Sequence, residues 1–206
     1  MTLSKRLCDL ILAVGLSLIL ALPFALLIIY LLLAEGRPVF YVAERMRAPG
    51  RPFALWKLRT MTVVPPEAGV SGGNKINRIT ATGRFLRRSR LDEVPQLWNV
   101  LRGEMSFVGP RPPLRLYVER FPEIYAMVLQ SRPGITGLAT LVFHRHEEQL
   151  LANCRTSVET DAVYSRRCVP RKAHIDLIYQ RRRTLWMDFG LMALTLKRAL
   201  NLGKRP

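Results

Sequence analysis

Residues 5–37 read KRLCDLILAVGLSLILALPFALLIIYLLLAEGR, and this stretch decides how the rest of the chain is organised. Between Leu10 and Ala34 it runs for 25 residues without a charged side chain. At about 1.5 Å per residue, a helix of this length exceeds the roughly 30 Å thickness of a hydrocarbon core. The stretch therefore predicts a helix that inserts into a membrane.

The charges on both flanks indicate how the segment inserts. Lys5 and Arg6 precede it and Arg37 follows it, so the positive-inside rule draws both ends toward the cytoplasm. Pro23, near the middle, lacks a backbone donor and crowds the carbonyl of Ile19, which predicts a kink. A kinked segment can enter one leaflet and return to the same side.

We therefore predict a reentrant membrane hairpin, helix-break-helix, over residues 1–36 and a cytoplasm-facing globular domain over residues 37–206. Two alternatives stay open. One is a spanning helix that tolerates its proline. The other is a cleaved signal peptide, although such a peptide has a shorter apolar region that ends in small residues. Here the chain continues Tyr30-Leu-Leu-Leu instead.

The remaining composition indicates polyanionic partners. The net charge is +17, from 32 Lys and Arg against 15 Asp and Glu, which favours nucleic acid, anionic lipid or phosphorylated small molecules. Only six of the 32 are lysines, and guanidinium groups suit phosphates. Cys8, Cys154 and Cys168 show no CxxC spacing, which argues against a disulfide framework or zinc site and fits a reducing compartment.

Patterns in residues 37–206 predict an α+β fold that is mainly helical, with short strands and interfacial amphipathic helices. Strands are predicted at residues 38–42 and 53–61, a loop rich in Pro and Gly that could act as a lid at 64–77, and a turn at 133–137. Helices are predicted at residues 80–90, 93–101, 114–130 with a break at Pro122, and 185–202. The last lies either at the membrane interface or in the core.

The acidic pair Asp92 and Glu93 is the first candidate site. Asp92 is predicted to cap the helix at 93–101, where the helix dipole and the preceding arginines would keep its carboxylate ionised. An ionised carboxylate can attack phosphorus when arginines or a divalent cation neutralise the phosphoryl charge. Local pattern alone favours a capping role for Asp92 and a helix-starting role for Glu93. The rigid turn Gly109-Pro-Arg-Pro-Pro could present Arg111 to a phosphate or nucleobase.

Several motifs in order closely resemble the bacterial sugar transferase family, the monotopic phosphoglycosyl transferases. They are KRLCDLILAVGLSLILALPFALL, RPVFYVAERMRAPGRPFALWKLRTM, ITATGRFLRRSRLDE, LDEVPQLWNVLRGEMSFVGPRPP and RPGITGLA. The resemblance runs from Lys5 to Gly137 and resumes more weakly near Asp176, Tyr179 and Asp188. It implies a reentrant membrane helix and a small, minimal catalytic form.

The resemblance also implies a reaction. A phospho-sugar passes from a UDP-sugar to polyprenol (undecaprenyl) phosphate, giving polyprenyl diphosphate sugar and UMP, as the first membrane step of bacterial glycoconjugate synthesis. Asp92 would be the nucleophile of a covalent intermediate, Glu93 its catalytic partner, and both would bind Mg²⁺. The implied location is the cytoplasmic face of the bacterial inner membrane, with anionic lipid nearby and a homodimer left open.

The family's substrate contacts map onto further residues. Arg87 corresponds to a phosphate-contacting arginine, with Arg88 beside it, and Pro110, Arg111 and Pro112 correspond to a nucleotide-contacting turn. The segment after Gly137 departs from the family pattern, and Arg145 is expected to take the role of the family arginine there.

Several other sequence features are relevant to this function and to its alternatives. His144 and His146 suit one face of a strand, but a third zinc ligand is missing from the pattern, so a polar surface loop or part of a sugar pocket is favoured. Trp98 is assigned to packing. A nucleic-acid binder is disfavoured because no helix-turn-helix, zinc finger or stacking pattern occurs. A membrane scaffold would leave the acidic pair and the Pro-Arg-Pro turn without a purpose.

Overall fold

The computed structural model describes residues 1–63 and 78–201, so the predicted lid at 64–77 lies outside the described residues. The first element, α1, is a helix over Leu3–Glu35. Helical structure continues through Pro23, where a break between two helices was predicted. One proline removes a single backbone donor, and the hydrogen bonds on either side can carry the helix through it. By length and composition α1 could cross a membrane.

A β-hairpin follows α1. Strand β1, Phe40–Ala48, pairs antiparallel with β2, Arg51–Leu58, and their register sets Tyr41 opposite Lys57. The turn uses Gly50 at φ +67°, a conformation that glycine adopts without steric cost. Both predicted strands are confirmed, although β1 extends well beyond the predicted end.

The acidic pair lies between two helices. Helix α2 covers Ala81–Ser89, as predicted, and a 3-10 turn over Leu91–Glu93 precedes α3, Gln96–Leu101. The prediction of Asp92 as a helix cap is wrong, because Pro95 occupies the N-cap of α3. A capping Asp92 side chain would accept from the amides of residues 94 and 95, but proline has no N–H and the Val94 amide donates to the Leu91 carbonyl at 3.2 Å.

Two short parallel strands fix the Pro-Arg-Pro turn. β3, Ser106–Val108, pairs with β4, Gly134–Thr136, so the predicted turn at 133–137 is largely a strand. The Gly109 amide donates to the Thr136 carbonyl and the Gly134 amide to the Pro110 carbonyl. A Cβ on Gly109 would lie 2.1 Å from the Arg132 carbonyl oxygen, so this close approach requires glycine.

Helices complete the rest of the described chain. α4, Arg115–Arg120, and α5, Pro122–Val128, meet at the predicted break. They are followed by α6, Leu138–Leu151, and α7, Ser157–Val163. A π-helical turn over Tyr164–Cys168 then leads into α8, Val169–Arg182, and α9 begins at Leu185 and ends at Asn201. The prediction of a mainly helical fold with short strands is confirmed.

Both halves of α1 pack on the same globular domain. Ala13 joins the core cluster that contains Val100 and Met105, whereas Leu31 joins a second cluster with Leu58 and Leu86. Between these contacts the helix exposes large apolar side chains, among them Leu18 and Ile19, which are more than 70% exposed. α1 is therefore built into the domain at two separate points.

The tryptophans differ from expectation. Trp98 is 52% exposed and stacks under the Arg102 guanidinium, so its assignment to core packing is wrong. The short α3 turns its other faces inward, through Leu97, Asn99 and Val100. Trp186, on α9, is 85% exposed. Exposed aromatic side chains beside an apolar helix suit a membrane–water interface.

Candidate active site

The acidic pair lies in a buried, positively charged setting. Asp92 and Glu93 are each only 8% exposed, although they occupy a turn between two helices. Leu91, the residue before them, packs against the cluster of Leu31 and Leu58. The residue before the pair therefore packs in the same cluster as the second half of α1.

Glu93 is held by two cations. Its Oε1 accepts from the Lys57 ammonium at 3.0 Å, and its Oε2 accepts from the Arg90 guanidinium at 2.8 Å. Burial by itself raises the pKa of Glu93, but Lys57, Arg90 and Arg111 outweigh it, so the pKa of this carboxyl is lowered from its ordinary value. Glu93 is a fixed anion.

Asp92 is in the opposite situation. Among the described residues its carboxylate accepts no hydrogen bond. Burial and the adjacent Glu93 raise the pKa of Asp92, and Lys57, Arg87 and Arg90 offset only part of this effect. Of the two influences expected to stabilise the Asp92 anion, Arg87 and Arg90 do lower its pKa, whereas the helix N-terminus does not contribute, because Asp92 is buried in a turn before α3 and not exposed at a helix cap.

Of the two predicted phosphate-binding arginines, the structure brings one to the pair. Arg87 donates from Nε to the Thr60 hydroxyl at 2.8 Å, and its charge acts on the Asp92 carboxyl. Arg88, one residue further along α2, is exposed and makes no described contact with the pair. Neighbouring residues on a helix point in different directions, which separates the two guanidinium groups.

The Pro-Arg-Pro turn lies on the other side of the pair. Pro110 and Pro112 are buried, whereas Arg111 between them is exposed. The Arg111 charge contributes to the lowered pKa of Glu93, which places its guanidinium near the acidic pair. The pair is thus flanked by Arg87 from α2 and Arg111 from the turn.

The predicted contribution of Arg145 has no support from the described contacts. Arg145, His144 and His146 lie on α6 and are all exposed, so the strand or loop expected there is a helix. His144 contacts Glu148 at 3.4 Å, one helical turn away. Residues two apart on a helix do not share a face, so the histidine pair cannot bind one metal ion as it could on a strand.

A cavity of about 240 Å³, lined by both polar and apolar side chains, opens beside Arg111. We call it the tyrosine cavity, and its chemically important lining residues are Arg45, Arg111, Tyr125, Tyr164, Lys172 and Asp176. Asp176, on α8, is only 8% exposed. Burial raises the pKa of Asp176 to about 7, against the opposing influence of Lys172 and the Ala139 amide.

Sequence reasoning missed Lys57 and the tyrosine cavity. Lys57 lies in a predicted strand, where its partner Glu93 is distant in sequence and only the hairpin brings the two together. Arg90 is one of the arginines before the acidic pair that were expected to stabilise the Asp92 anion, but its contact with Glu93 was not predicted. Asp176 lies in a segment that resembles the family more weakly, and no role was predicted for it.

Two hydrogen-bonded networks join α1 to the site. Lys5 binds Asp188 at 2.6 Å, and Asp188 accepts at 2.6 Å from Tyr179, whose hydroxyl oxygen also lies 3.2 Å from the Val108 carbonyl oxygen. These links connect the start of α1 to the strand that leads into the Pro-Arg-Pro turn.

At the other end of α1, Glu35 accepts from the Thr80 hydroxyl at 2.8 Å. Thr80 is also the N-cap of α2, the helix that carries Arg87. Arg59 donates to the carbonyls of Glu35 and Gly36, which closes the second link. Both ends of α1 are thus connected to elements that position site arginines.

Comparison with known proteins now decides the family. The family model described as bacterial sugar transferase matches residues 1–202. The chain belongs to the bacterial sugar transferase family. The acidic pair and the Pro-Arg-Pro turn both lie within the matched residues of this sugar transferase family member.

Individual relatives of this sugar transferase carry more specific names. A UDP-glucose:undecaprenyl-phosphate glucose-1-phosphate transferase of Klebsiella pneumoniae is 34% identical over 93% of this chain and 39% of its own length. An undecaprenyl-phosphate galactose phosphotransferase of Salmonella typhimurium is 31% identical over 94% and 40%. The sugar transferase EpsL of Bacillus subtilis is 33% identical over 95% and 87%. The chain thus spans about two fifths of the first two relatives.

Proposed function

We propose that this protein transfers a phospho-sugar from a UDP-sugar to undecaprenyl phosphate and releases UMP. The observation that carries the proposal is the contrast between two adjacent buried carboxylates: two cations hold Glu93, whereas Asp92 has no hydrogen-bond partner among residues 1–63 and 78–201. Pairs of titratable groups whose environments push their pKa values apart take different catalytic roles. Relatives named for this reaction with glucose or galactose support the substrate class.

The chemistry divides into two displacements at one phosphorus. In the first, a carboxylate oxygen of Asp92 forms a bond to the β-phosphorus of the UDP-sugar, and the bond from that phosphorus to the UMP oxygen breaks. In the second, a phosphate oxygen of undecaprenyl phosphate attacks the same phosphorus, and the bond to Asp92 breaks. The products are UMP and undecaprenyl diphosphate sugar, and the Asp92 carboxylate is regenerated.

Each nearby charge has a distinct task in this scheme. Arg87 and Arg111 flank the pair and can neutralise the diphosphate as it approaches a carboxylate. Lys57 and Arg90 hold Glu93, so this second negative charge stays in place and helps to orient the cations around Asp92. The unpaired Asp92 oxygens remain free to react.

The residues present fit Mg²⁺. Within the described ranges no cluster of three His, Cys, Asp or Glu side chains could hold a metal ion. Mg²⁺ does not require such a cluster, because it commonly binds one or two carboxylates together with substrate phosphates. The unpartnered Asp92 carboxylate, with Glu93 beside it, supplies that donor set. When bound, the ion would withdraw charge from the phosphoryl oxygens.

The direct test is a turnover assay. Full-length protein in a lipid nanodisc is mixed with undecaprenyl phosphate, Mg²⁺ and a panel of UDP-sugars, and UMP is measured. We expect UMP release with at least one UDP-sugar that requires both the lipid phosphate and Mg²⁺. Release of UDP, or of UMP from no member of the panel, would contradict the proposed reaction.

We predict that Glu93→Gln lowers turnover and changes its Mg²⁺ dependence. The substitution removes the negative charge of Glu93, which forms ion pairs with Lys57 and Arg90. Both cations would then lie beside the diphosphate without that anionic partner. The measurement is UMP release across a Mg²⁺ titration, with Glu104→Gln, an α3–β3 loop carboxylate away from the pair, as control. An unchanged Mg²⁺ response would limit Glu93 to a structural role.

We also propose that α1 is reentrant and that the globular domain faces the cytoplasm. A spanning helix would place one end across the bilayer from the domain. Here Lys5 contacts Asp188 near one end, and Glu35 contacts Thr80 at the other. Both contacts belong to the same globular domain, which supports a helix with both ends on one side.

Single cysteines test this topology. We expect a cysteine at Thr2 and one at Arg37, each in a chain whose native cysteines are replaced by serine, to resist a membrane-impermeant thiol reagent in intact cells. Both should react after the inner membrane is permeabilised. A cysteine at the exposed Glu123 of α5 is the cytoplasmic control. Reaction of only one helix end in intact cells would establish a spanning helix.

A further inference from the structure

The tyrosine cavity carries polar groups whose hydrogen-bonding capacity is only partly used by the described protein. Within the described residues the Asp176 carboxylate has the Ala139 amide as a partner but no side-chain donor, and the Tyr125 hydroxyl has no side-chain partner. Asp176 is 8% exposed. Buried polar groups in proteins are nearly always paired, so such groups lining a cavity indicate a ligand. Tyr164, whose hydroxyl accepts from Lys172 at 3.3 Å, completes the polar lining.

The volume of the tyrosine cavity suits a single six-membered ring. A cavity of about 240 Å³ is larger than the roughly 150 Å³ that holds benzene and smaller than the 300 Å³ or more of pockets for drug-sized ligands. A whole nucleotide sugar cannot enter it, but one six-membered ring with its substituents can. The cavity therefore takes one end of a larger substrate.

The chemistry of the walls favours a ring rich in hydroxyl groups. Burial raises the pKa of Tyr125 and of Tyr164, so both phenols stay protonated and can donate. Asp176 can accept from a hydroxyl group. Donors and an acceptor on different walls match a sugar, which presents hydroxyl groups around its whole circumference. A nucleobase presents its polar atoms along an edge and needs flat surfaces for its faces.

The position of Arg111 indicates which end of the nucleotide sugar enters the tyrosine cavity. Its guanidinium lines the cavity, and its charge also acts on Glu93, so it stands between the cavity and the acidic pair. Arg45, partly buried beside it, adds a second positive charge at the same mouth. A diphosphate bound there would lead its directly attached sugar into the cavity, whereas the base lies a further phosphate and a ribose away.

We propose that the tyrosine cavity binds the sugar ring of the donor, with Asp176 and Tyr125 as the residues that determine sugar specificity. This assignment rests on the proposed function. The π-helical turn at Tyr164–Cys168 supports it, because such turns occur frequently at functional sites and this one places Tyr164 in the cavity wall.

The test separates the sugar from the nucleotide. In an Asp92→Asn background, which prevents consumption of the donor, we would measure the dissociation constants of UDP and of the UDP-sugar that supports the fastest UMP release. Asp176→Asn should weaken binding of the UDP-sugar about tenfold to a hundredfold and leave UDP binding unchanged. Tyr125→Phe should weaken it about twofold to tenfold. Glu123→Gln, an exposed carboxylate on the same helix as Tyr125, is the matched control.

Two outcomes would overturn the proposal. Equal weakening of UDP and UDP-sugar would assign the cavity to the nucleotide, and unchanged UDP-sugar binding in both variants would leave the cavity without a role in donor recognition. Should Asp176→Asn fail to fold, Tyr125→Phe, which removes one oxygen only, decides the question. Failure of the proposed reaction is seen separately, as the lack of UMP release by the wild-type protein with any donor.

Discussion

Asp92→Asn is expected to abolish turnover, with a loss of at least about a thousandfold in UMP release. The amide has nearly the shape of the carboxylate but lacks the anionic oxygen that would bond to phosphorus. Because Asp92 accepts no hydrogen bond from the described residues, the exchange should leave the fold intact. UMP release and thermal unfolding, measured on the same preparations, check both statements.

A labelling experiment distinguishes loss of a nucleophile from loss of binding. Wild-type protein given a UDP-sugar with a radiolabelled β-phosphate and no lipid acceptor should retain label on the polypeptide, and the Asp92→Asn variant should not. The label should leave on addition of undecaprenyl phosphate. Wild-type protein that never becomes labelled, or an Asp92→Asn variant that keeps substantial turnover, would exclude Asp92 as the nucleophile.

Lys5→Met is expected to lower the free energy of unfolding by about 3–5 kcal/mol. Lys5 and Asp188 form an ion pair at 2.6 Å, and their side chains are 8% and 7% exposed. Methionine fills much of the same space but leaves Asp188 as an uncompensated buried charge. The measurement is denaturant or thermal unfolding of the protein in a fixed detergent.

The double variant Lys5→Met with Asp188→Asn serves as the control. Asparagine is neutral and can still accept the Tyr179 hydrogen bond, so the double variant should recover most of the lost stability. Replacing a whole buried ion pair is commonly far less costly than breaking it. If the double variant is no more stable than Lys5→Met alone, the loss of stability comes from packing around Lys5 and not from the unpaired charge of Asp188.

The elements that sequence predicted well are those with local causes. The long apolar run fixes α1, and the break at Pro122 between α4 and α5 follows from one residue that cannot donate a hydrogen bond. The acidic pair and Arg87 lie within a few residues of each other, so one short motif contains them. Local sequence was sufficient for these features, but not at Pro23, through which α1 continues.

The misjudged features depend on distant partners. Gly134–Thr136 resembles a turn, yet it becomes a strand because Ser106–Val108 lies beside it. Lys57 reaches Glu93 only through the hairpin, and the burial that raises the pKa of Asp92 comes from packing against several elements. Trp98 follows the apolar spacing of its helix but faces outward, because α3 packs on the domain through other faces, which carry Leu97, Asn99 and Val100.

The hydrogen bond between Glu35 and Thr80 gives the apolar helix α1 a structural role beside the acidic pair. Because the residue that ends α1 also contacts the N-cap of the helix bearing Arg87, α1 forms one side of the proposed active site and is not merely an anchor. A fragment without its first 36 residues would lose that side, and with it the Leu31 neighbour of Leu91 next to Asp92. We therefore expect truncation for solubility to cost the proposed activity.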